Sequence, residues 1–221
     1  DAEELDRRVV AKDQIRTVVR TFRDRLFTEL FPGRREVPKT LIFAKDDSHA
    51  EDVVAIVREE FGEGNDFCQK ITYRTTGSKP ADLIQEFRNS FKPRIAVTVD
   101  MIATGTDIRP VEIVVFLRAV QSRVLFEQMK GRGVRIIDPH ELQAVTPSAS
   151  AKTPAKMLVA AGTVLENVAV PPAGGCVVSV MGKFDGHTDV LSFPGFHQLF
   201  FYGDFQKPLI QFCRLFGIEP V

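Results

Sequence analysis

The first 140 residues alternate between stretches with a helical spacing of apolar residues and short runs that are apolar throughout. From about Leu5 to Leu30, apolar side chains recur at helical spacing with arginine and aspartate between them, which predicts an amphipathic helix. The sequence Phe31-Pro32-Gly33 ends this helix, because proline and glycine both disfavour its continuation. The apolar positions of the predicted helix are Leu5, Val9, Ile15, Val18, Val19, Phe22, Leu26 and Leu30.

Strands and helices are predicted to alternate after this helix. Short continuous apolar runs indicate buried strands, while capping residues and a proline mark the helix starts between them. Strands separated by helices form βαβ units, and these build a mostly parallel sheet that is covered on both faces. We therefore expect a three-layer α/β fold, with function in the loops at the carboxyl ends of the strands. The predicted elements are a strand at Thr40–Ala44, a helix capped by Asp46, Asp47 or Ser48 and reaching Phe61, a possible strand within Phe67–Tyr73, a helix from Pro80 that closes at Asn89–Pro93, strands at Arg94–Val99 and Val111–Leu117, and a helix at Arg123–Lys130.

The chain changes character near residue 140. The first 140 residues hold 24 basic and 23 acidic side chains, whereas the last 81 hold only 5 basic and 6 acidic ones. Thr146–Pro154 is rich in proline, serine, threonine and alanine, which predicts a linker. We divide the chain into an N-terminal connecting helix (1–35), an α/β domain (36–145) and a linker with a phenylalanine-rich tail (146–221). Met157–Ala161 could form one more strand, and the residues after it receive no functional interpretation.

The composition excludes several classes of protein. The chain has 29 basic and 29 acidic residues and a formal net charge of zero, so any nucleic-acid binding requires a local patch. No apolar run approaches the roughly 20 residues that span a bilayer, and the acidic N-terminus lacks a secretory signal. The three cysteines lie far apart and the four histidines show no ligand spacing, which argues against a disulfide framework and a metal site. We therefore expect a cytoplasmic protein that does not associate with membranes.

Three loops carry most of the chemically useful side chains: Lys45–Ser48, Asp100–Asp107 and the segment that reaches Arg135. The second loop leaves a predicted strand, turns at a glycine and ends in a carboxylate. The third ends a predicted helix and presents Arg132 three residues before Arg135. Glycines on both sides of Arg132 leave space for a flat or anionic group to approach closely.

The second and third loops resemble motifs V and VI of the superfamily-two helicases and translocases. Gln128–Arg135 matches the pattern Q-x-x-G-R-x-x-R at every fixed position, and Thr104–Asp107 supplies the Thr-Gly-x-Asp of motif V. Leu41–Ala44 with its capped helix resembles motif IV, and Thr76-Gly77 before a helix is also similar to that family. The resemblance spans about Lys39 to Ile137, and it implies the second of the two RecA-like domains of such enzymes.

Within this family the chain is most similar to the motor subunit of type I restriction enzymes. The segments that carry this similarity are Val99–Met101, Thr104–Asp107 and Phe126–Gly133. Type III enzymes and other DNA translocases share parts of the same pattern and stay open as alternatives. The resemblance implies an ATP-dependent translocase or helicase that acts on double-stranded DNA, with methyltransferase and specificity subunits as further partners. The alternatives are a non-catalytic RecA-like module that binds a nucleotide or a protein, and an RNA helicase domain.

The resemblance also implies which residues bind ATP and assist catalysis. Arg132 and Arg135 would be arginine fingers, which stabilise charge on the transferred phosphoryl group and contribute on the order of 10³–10⁵ in rate. Asp107 would accept a hydrogen bond from the ribose hydroxyls. A simpler interpretation is that the two arginines are surface residues paired with carboxylates and that Asp107 caps a turn. The supporting ATP-binding residues, which place the fingers and keep the loop tight, are Gln128, Gly131 and Gly105.

Four further residues are predicted to bind nucleic acid: Thr98, Thr76, Gly77 and Lys45. Hydroxyls, backbone amides and a lysine can grip phosphates without reading bases, as a motor that moves over any sequence requires. The simpler interpretation is that the threonine–glycine pair is only a turn and that the lysine is only solvated.

The sequence lacks two parts that ATP hydrolysis needs, a phosphate-binding loop of the form G-x-x-x-x-G-K-[ST] and an acidic box that holds magnesium. The nearest approach to the loop, Gly33–Thr40, has Pro38 where the second glycine belongs, and a strand follows it where a helix should start. Asp138–Glu141 is no acidic box, because it follows the motif that it should precede. We therefore expect the second half of a two-domain ATPase. Its first RecA-like domain would stand upstream in the full-length chain and supply the ligands of the ATP-bound magnesium, and this half alone should not hydrolyse ATP.

Overall fold

The computed structural model describes residues 2–75, 77, 79–99, 107–118, 128–129, 131–132 and 135–150, together with five strands between residues 155 and 200. Side-chain surroundings are described from residue 12 to residue 150 within these ranges. None of the helices in the described ranges is long and apolar enough to cross a membrane.

The predicted N-terminal helix is observed as α1, Ala2–Arg25, followed by a π-helical turn at Leu26–Leu30. The turn ends at Phe31 as the sequence predicts, and the backbone N–H of Phe31 donates to the carbonyl of Leu26 at 2.8 Å. The apolar stripe that predicts the helix also packs it onto the domain, because its described members are buried in one core cluster. They are Ile15, Val18, Val19, Phe22, Leu26 and Leu30.

The first strand and the helix after it follow the sequence prediction closely. β1, Thr40–Ala44, is buried along its whole length, and α2, Asp47–Phe61, comes next. The Asp46 carboxylate accepts a hydrogen bond from the backbone N–H of His49 at 2.9 Å, so Asp46 is the capping residue among the three candidates. Gly62 ends the helix at φ 65°, a left-handed conformation that glycine adopts without strain.

Four more elements of the α/β domain are predicted from the sequence and observed in the structure. They are β2 (Cys68–Lys70), α3 (Pro80–Asn89), β3 (Ile95–Thr98) and β4 (Ile113–Leu117). β2 is shorter than predicted because the chain turns directly after it, where the backbone N–H of Thr75 donates to the carbonyl of Thr72 at 3.1 Å.

A short helix, α4 (Pro139–Val145), was not predicted. Its start signals are ordinary ones: Asp138 accepts a hydrogen bond from the backbone N–H of His140 at 2.8 Å, and a proline stands in the first turn. The helix predicted at Arg123–Lys130 lies mostly outside the described residues, and the two described residues, Gln128 and Met129, are helical.

Six strands form one sheet in the order β2-β3-β1-β4-β5-β6, and every pairing in it is parallel. β1 lies in the middle, with Ile42 opposite Val97 of β3 and Val115 of β4. The strand expected from Met157 onward is observed as β5 (Ala155–Val159), and β6 (Cys176–Val180) extends the sheet beyond it. The expected α/β class with a mostly parallel sheet is confirmed.

The phenylalanine-rich tail contains a second, antiparallel sheet. Its strands are β7 (Gly182–Phe184), β8 (His187–Phe193) and β9 (Phe196–Phe200), in the order β7-β8-β9. Phe193 lies opposite Phe196 where β8 and β9 pair. The division of the chain at residues 35 and 145 stays a prediction, although β5 and β6 join the sheet of the central segment.

The main sheet is buried on both faces of its central strands. Ile42, Val97 and Val115 belong to the cluster that packs against α1 and α2. Side chains alternate between the two faces of a strand, so their neighbours Phe43 and Phe116 lie on the opposite face, where their rings stack with centroids 5.6 Å apart. Both rings are fully buried, which explains why the strand sequences are apolar throughout rather than alternating.

A buried arginine fixes the start of the predicted linker to the sheet. Arg94, directly before β3, is 2% exposed, and burial lowers the pKa of its guanidinium to about 10. Arg94 therefore makes internal hydrogen bonds rather than contacts with solvent. Because these bonds reach Thr146, the first residue of the predicted linker is packed against the domain. The hydrogen-bond acceptors of Arg94 are the carbonyls of Val37 (2.6 Å), Phe91 (2.8 Å) and Val145 (2.6 Å) and the hydroxyl of Thr146 (2.9 Å).

Candidate functional site

Two of the predicted ATP-site residues are in contact in the structure. Arg135 Nη1 is 3.1 Å from Asp107 Oδ1, although Asp107 belongs to the β3–β4 connection and Arg135 lies beyond β4. The second carboxylate oxygen, Oδ2, accepts a hydrogen bond from Arg109 Nε at 3.0 Å. The structure therefore unites a carboxylate from the motif V segment with a guanidinium from the motif VI segment.

The surroundings of Asp107 keep its carboxylate charged. Burial alone would raise the pKa of Asp107, but the hydrogen bond from Arg109 and the positive charges of Arg135 and Arg88 lower it below its ordinary value. The next residue, Ile108, is 1% exposed and anchors this stretch of chain in the core. An ionised carboxylate on an anchored segment is well suited to accept hydrogen bonds from a sugar hydroxyl.

Arg132 is the buried member of the arginine pair. It is 6% exposed, and its backbone N–H donates to the carbonyl of the fully buried Met129 at 3.1 Å. Burial lowers the pKa of Arg132, the positive charge of Arg135 lowers it further, and the charge of Asp107 opposes both. A desolvated guanidinium beside a second one binds an anion more strongly than either would in water.

The other predicted ATP-site residues are less fully described. Gln128 is exposed at the end of its helix, and Gly131 is half-buried next to Arg132. Gly105 lies outside the described residues, as does the rest of 100–106. The roles of all these residues, and of the arginines as fingers, stay predictions.

The residues predicted to bind nucleic acid differ in their accessibility. Lys45 is exposed, and Gly77 is exposed with φ 92°, a conformation that suits glycine. Thr98 is fully buried at the end of β3, and its hydroxyl has no hydrogen-bond partner in the described part of the chain. Thr76 lies outside the described residues. Among the described members of this set, Lys45 and Gly77 are therefore the two that a ligand can reach in this conformation.

The sequence matches the family described as helicase conserved C-terminal domain over residues 22–137, which is more than half of the chain. The chain belongs to this family. The resemblance expected over Lys39–Ile137 is thereby confirmed, and the matched region contains the Asp107–Arg135 pair.

Two curated relatives are endonuclease subunits of type I restriction enzymes. The EcoKI subunit of Escherichia coli strain K12 is 40% identical over 105 residues, covering 44% of this chain and 9% of that subunit. The EcoAI subunit of Escherichia coli is 31% identical over 139 residues, covering 60% of this chain and 16% of that subunit. The chain therefore matches only a small part of the length of these relatives.

A solved structure shares the fold. It is a fragment assigned as the HsdR subunit of a type I restriction enzyme from Vibrio vulnificus YJ016, with a TM-score of 0.58 and 20% sequence identity. The match covers 84% of this chain and 35% of that fragment. It supports the RecA-like fold of the helicase C-terminal domain.

Sequence reasoning missed Asp47 as a link between two loops of the helicase domain. Asp47 was considered only as a helix cap, but its carboxylate accepts hydrogen bonds from the Thr72 hydroxyl at 2.6 Å and from Lys70 Nζ at 3.0 Å. These two contacts, led by that from Thr72, lower the pKa of Asp47. The β1–α2 loop, with its exposed Lys45, is thereby tied to the turn that leads to Gly77.

The turn after β2 is preorganised and exposed at its tip. The backbone N–H of Thr72 donates to the Thr75 hydroxyl at 2.9 Å, and this hydroxyl donates to the carbonyl of Lys70 at 3.2 Å. Tyr73 at the tip is 78% exposed, and Arg74 beside it is also exposed. No short sequence motif indicates this network, because Asp47 and Thr72 are 25 residues apart.

Proposed function

We propose that this helicase C-terminal domain is the second motor domain of an ATP-dependent DNA translocase, within the motor subunit of a type I restriction endonuclease. The observation that carries the proposal is the contact between Asp107 and Arg135, at 3.1 Å, with Arg132 buried beside them. An ATP site at this position needs the carboxylate of the Thr-Gly-x-Asp sequence close to a guanidinium of the Q-x-x-G-R-x-x-R sequence, and this contact meets that need. The identity to two type I endonuclease subunits supports the choice of enzyme class.

In the proposed mechanism, ATP binds between this domain and a first RecA-like domain of the same full-length chain. The first domain supplies the phosphate-binding loop and the ligands of the ATP-bound magnesium ion. Arg132 and Arg135 stabilise the charge that spreads over the γ-phosphoryl group as its bond to the leaving group breaks. Asp107 accepts a hydrogen bond from the ribose, with Gln128 and Gly131 placing the arginines.

Movement along DNA would come from alternate grips on the nucleic-acid backbone as the cleft opens and closes. Lys45 and Gly77 are exposed and can contact phosphates, and Thr76 belongs to the same proposed contact set. Thr98, predicted for the same role, is fully buried and cannot contact DNA in this conformation. Contacts with phosphates carry no sequence information, so the domain can act on any sequence. The enzyme would work in the cytoplasm on double-stranded DNA, together with methyltransferase and specificity subunits.

The test uses this domain joined to its natural upstream segment. Arg135→Ala should lower kcat of DNA-stimulated ATP hydrolysis by about 10²-fold or more, because a positioned charge at the transferred phosphoryl group is lost. The matched control is Arg35→Ala, which removes an exposed guanidinium from the segment before β1 and should leave kcat within about twofold.

Three results would contradict the proposal. Unchanged hydrolysis in Arg135→Ala would favour a non-catalytic RecA-like module, and so would an inactive parent protein whose upstream segment lacks a phosphate-binding loop. Stimulation of the parent protein by duplex RNA but not by duplex DNA would favour an RNA helicase.

A further inference from the structure

The two carboxylate oxygens of Asp107 have different partners. Oδ2 accepts a well-formed hydrogen bond from Arg109 Nε at 3.0 Å. Oδ1 lies 3.1 Å from Arg135 Nη1, but this ion pair lacks hydrogen-bond geometry, and Oδ1 is a buried acceptor with no hydrogen-bond partner in the described residues. A buried acceptor without a donor is costly, so Oδ1 is the oxygen of this carboxylate that gains most from a new hydroxyl donor.

The Asp107–Arg135 contact cannot persist when the site acts as proposed. The ribose and the γ-phosphate of ATP are separated by the α- and β-phosphates. A guanidinium held at the ribose-binding oxygen therefore cannot reach the γ-phosphate at the same time. Binding of ATP must move Arg135 away from Asp107, and the carboxylate then loses the positive charge of Arg135.

Arg109 is placed to hold Asp107 through that change. It follows Asp107 by two residues, and the intervening Ile108 is 1% exposed. The backbone N–H of Val111 donates to the carbonyl of Ile108 at 3.4 Å, so the segment forms a turn that carries Arg109 back toward the carboxylate. The contact of Arg109 is to Oδ2, which leaves Oδ1 to a ligand.

We propose that ATP exchanges the Asp107–Arg135 ion pair for two nucleotide contacts, and that Arg109 is the positioning residue that keeps Asp107 in place during the exchange. A ribose hydroxyl donates to Oδ1, and the released Arg135 turns to the triphosphate. Recognition of the sugar and engagement of the finger are then coupled, because each requires the same ion pair to break. This inference rests on the proposed function of the site.

The experiment measures hydrolysis of ATP and of 2′,3′-dideoxy-ATP by the full-length enzyme, which compares nucleotides with and without ribose hydroxyls. Arg109→Ala should raise KM for ATP about five- to tenfold and leave kcat within about threefold, because a hydrogen bond that orients the ribose acceptor is lost. KM for the dideoxy nucleotide should change little, so the preference for ATP falls. Arg109→Lys should restore part of the preference, and Arg35→Ala should leave it intact.

A second variant separates positioning from a general effect on folding. In an Asp107→Ala background, Arg109 has no acceptor to hold at this position, so adding Arg109→Ala should cause no further loss of the preference for ATP. A further loss there, or an unchanged preference in Arg109→Ala alone, would overturn the inference. Suppose that one of these two contradicting results is obtained but Arg135→Ala abolishes ATP hydrolysis. The proposed exchange of the Asp107–Arg135 ion pair is then wrong, while the proposed function of the domain still holds. If the parent enzyme does not hydrolyse ATP, both are wrong.

Discussion

One buried carboxylate of α2 holds several arginines of the N-terminal helix, and the loss of its charge should lower stability by a predictable amount. Glu60, at the end of α2, is contacted by three arginines of α1. Arg20 forms a two-point contact, Nε to Oε2 at 3.1 Å and Nη2 to Oε1 at 2.9 Å, and Arg16 Nη1 lies 3.1 Å from Oε1. Glu60→Gln keeps the shape of the side chain but removes its charge.

The expected cost is larger than that of an ordinary surface ion pair. Pairs between exposed groups contribute about 0–1 kcal/mol, but the Glu60 side chain is only 6% exposed. Hydrogen bonds from a guanidinium to a carboxylate are roughly twice as strong as neutral ones, and an amide would also turn its N–H groups toward the arginine donors. We expect Glu60→Gln to lower the free energy of unfolding by about 2–3 kcal/mol at pH 7.

The effect should depend on pH in a defined direction. The hydrogen bond from Arg20 lowers the pKa of Glu60 from its ordinary 4.5, against the effect of burial. A carboxylate whose pKa is lowered by folding stabilises the folded state. This contribution is fully present at pH values above the pKa of the unfolded chain, and it is lost as the pH falls through the pKa of the folded chain. Urea unfolding of the wild-type and variant chains at pH 7 and pH 3.5, followed by circular dichroism, measures this difference.

The neighbouring residue Glu59 provides the control. Its side chain is 63% exposed and contacts only Arg16, at 2.8 Å, within the described residues. Glu59→Gln should lower the free energy of unfolding much less than Glu60→Gln does, because solvent screens the charge of an exposed carboxylate. Equal losses for Glu59→Gln and Glu60→Gln would refute the reasoning from burial, and a loss in Glu60→Gln that does not shrink at pH 3.5 would refute the reasoning from charge.

Two further substitutions probe other contacts of the domain. Arg94→Lys should lower the free energy of unfolding by about 2–4 kcal/mol, because one ammonium group cannot reach the four acceptors of the buried guanidinium. The control is Arg88→Lys, which changes an exposed arginine in the same way. Equal melting temperatures of the Arg94→Lys and Arg88→Lys variants would contradict the expectation. Thr72→Val removes the hydroxyl that donates to α2 while keeping the side-chain volume. It should raise the Kd of the full-length enzyme for fluorescent duplex DNA about threefold or more, and an unchanged Kd would remove the link between this turn and DNA binding.

The strands and helices of residues 36–145 could be predicted largely because their capping residues, prolines and glycines mark the same boundaries as their buried apolar runs. β1 is apolar along its whole length because both faces of the sheet are covered, and Asp46 and Gly62 mark the two ends of α2. The limits of β2 were less predictable, because the Thr75 hydroxyl accepts from the backbone N–H of Thr72 and donates to the carbonyl of Lys70, which turns the chain at the end of the strand. Side-chain hydrogen bonds that end a strand leave no periodic pattern in the sequence.

The candidate site was predictable only in part for a different reason. Arg132, Arg135 and Asp107 stand in short motifs, so their spacing already suggests one site. Arg109 was missed although it is two residues from Asp107, because an arginine in a turn is usually solvated and only the structure shows its bond to Oδ2. Asp47 was misread as a cap for the same reason, since its real partners are far away in sequence.

The Asp107–Arg135 contact bears on the two interpretations of Arg132 and Arg135, as arginine fingers or as surface residues paired with carboxylates. The strongest arginine–carboxylate pairs also make aligned hydrogen bonds, often two in parallel. Here the two groups are close but misaligned, and the aligned bond to the carboxylate comes from Arg109 instead. A contact with charge attraction and without a hydrogen bond is easily exchanged for a ligand. The misalignment is compatible with the exchange proposed above, in which Arg135 leaves Asp107 for the triphosphate.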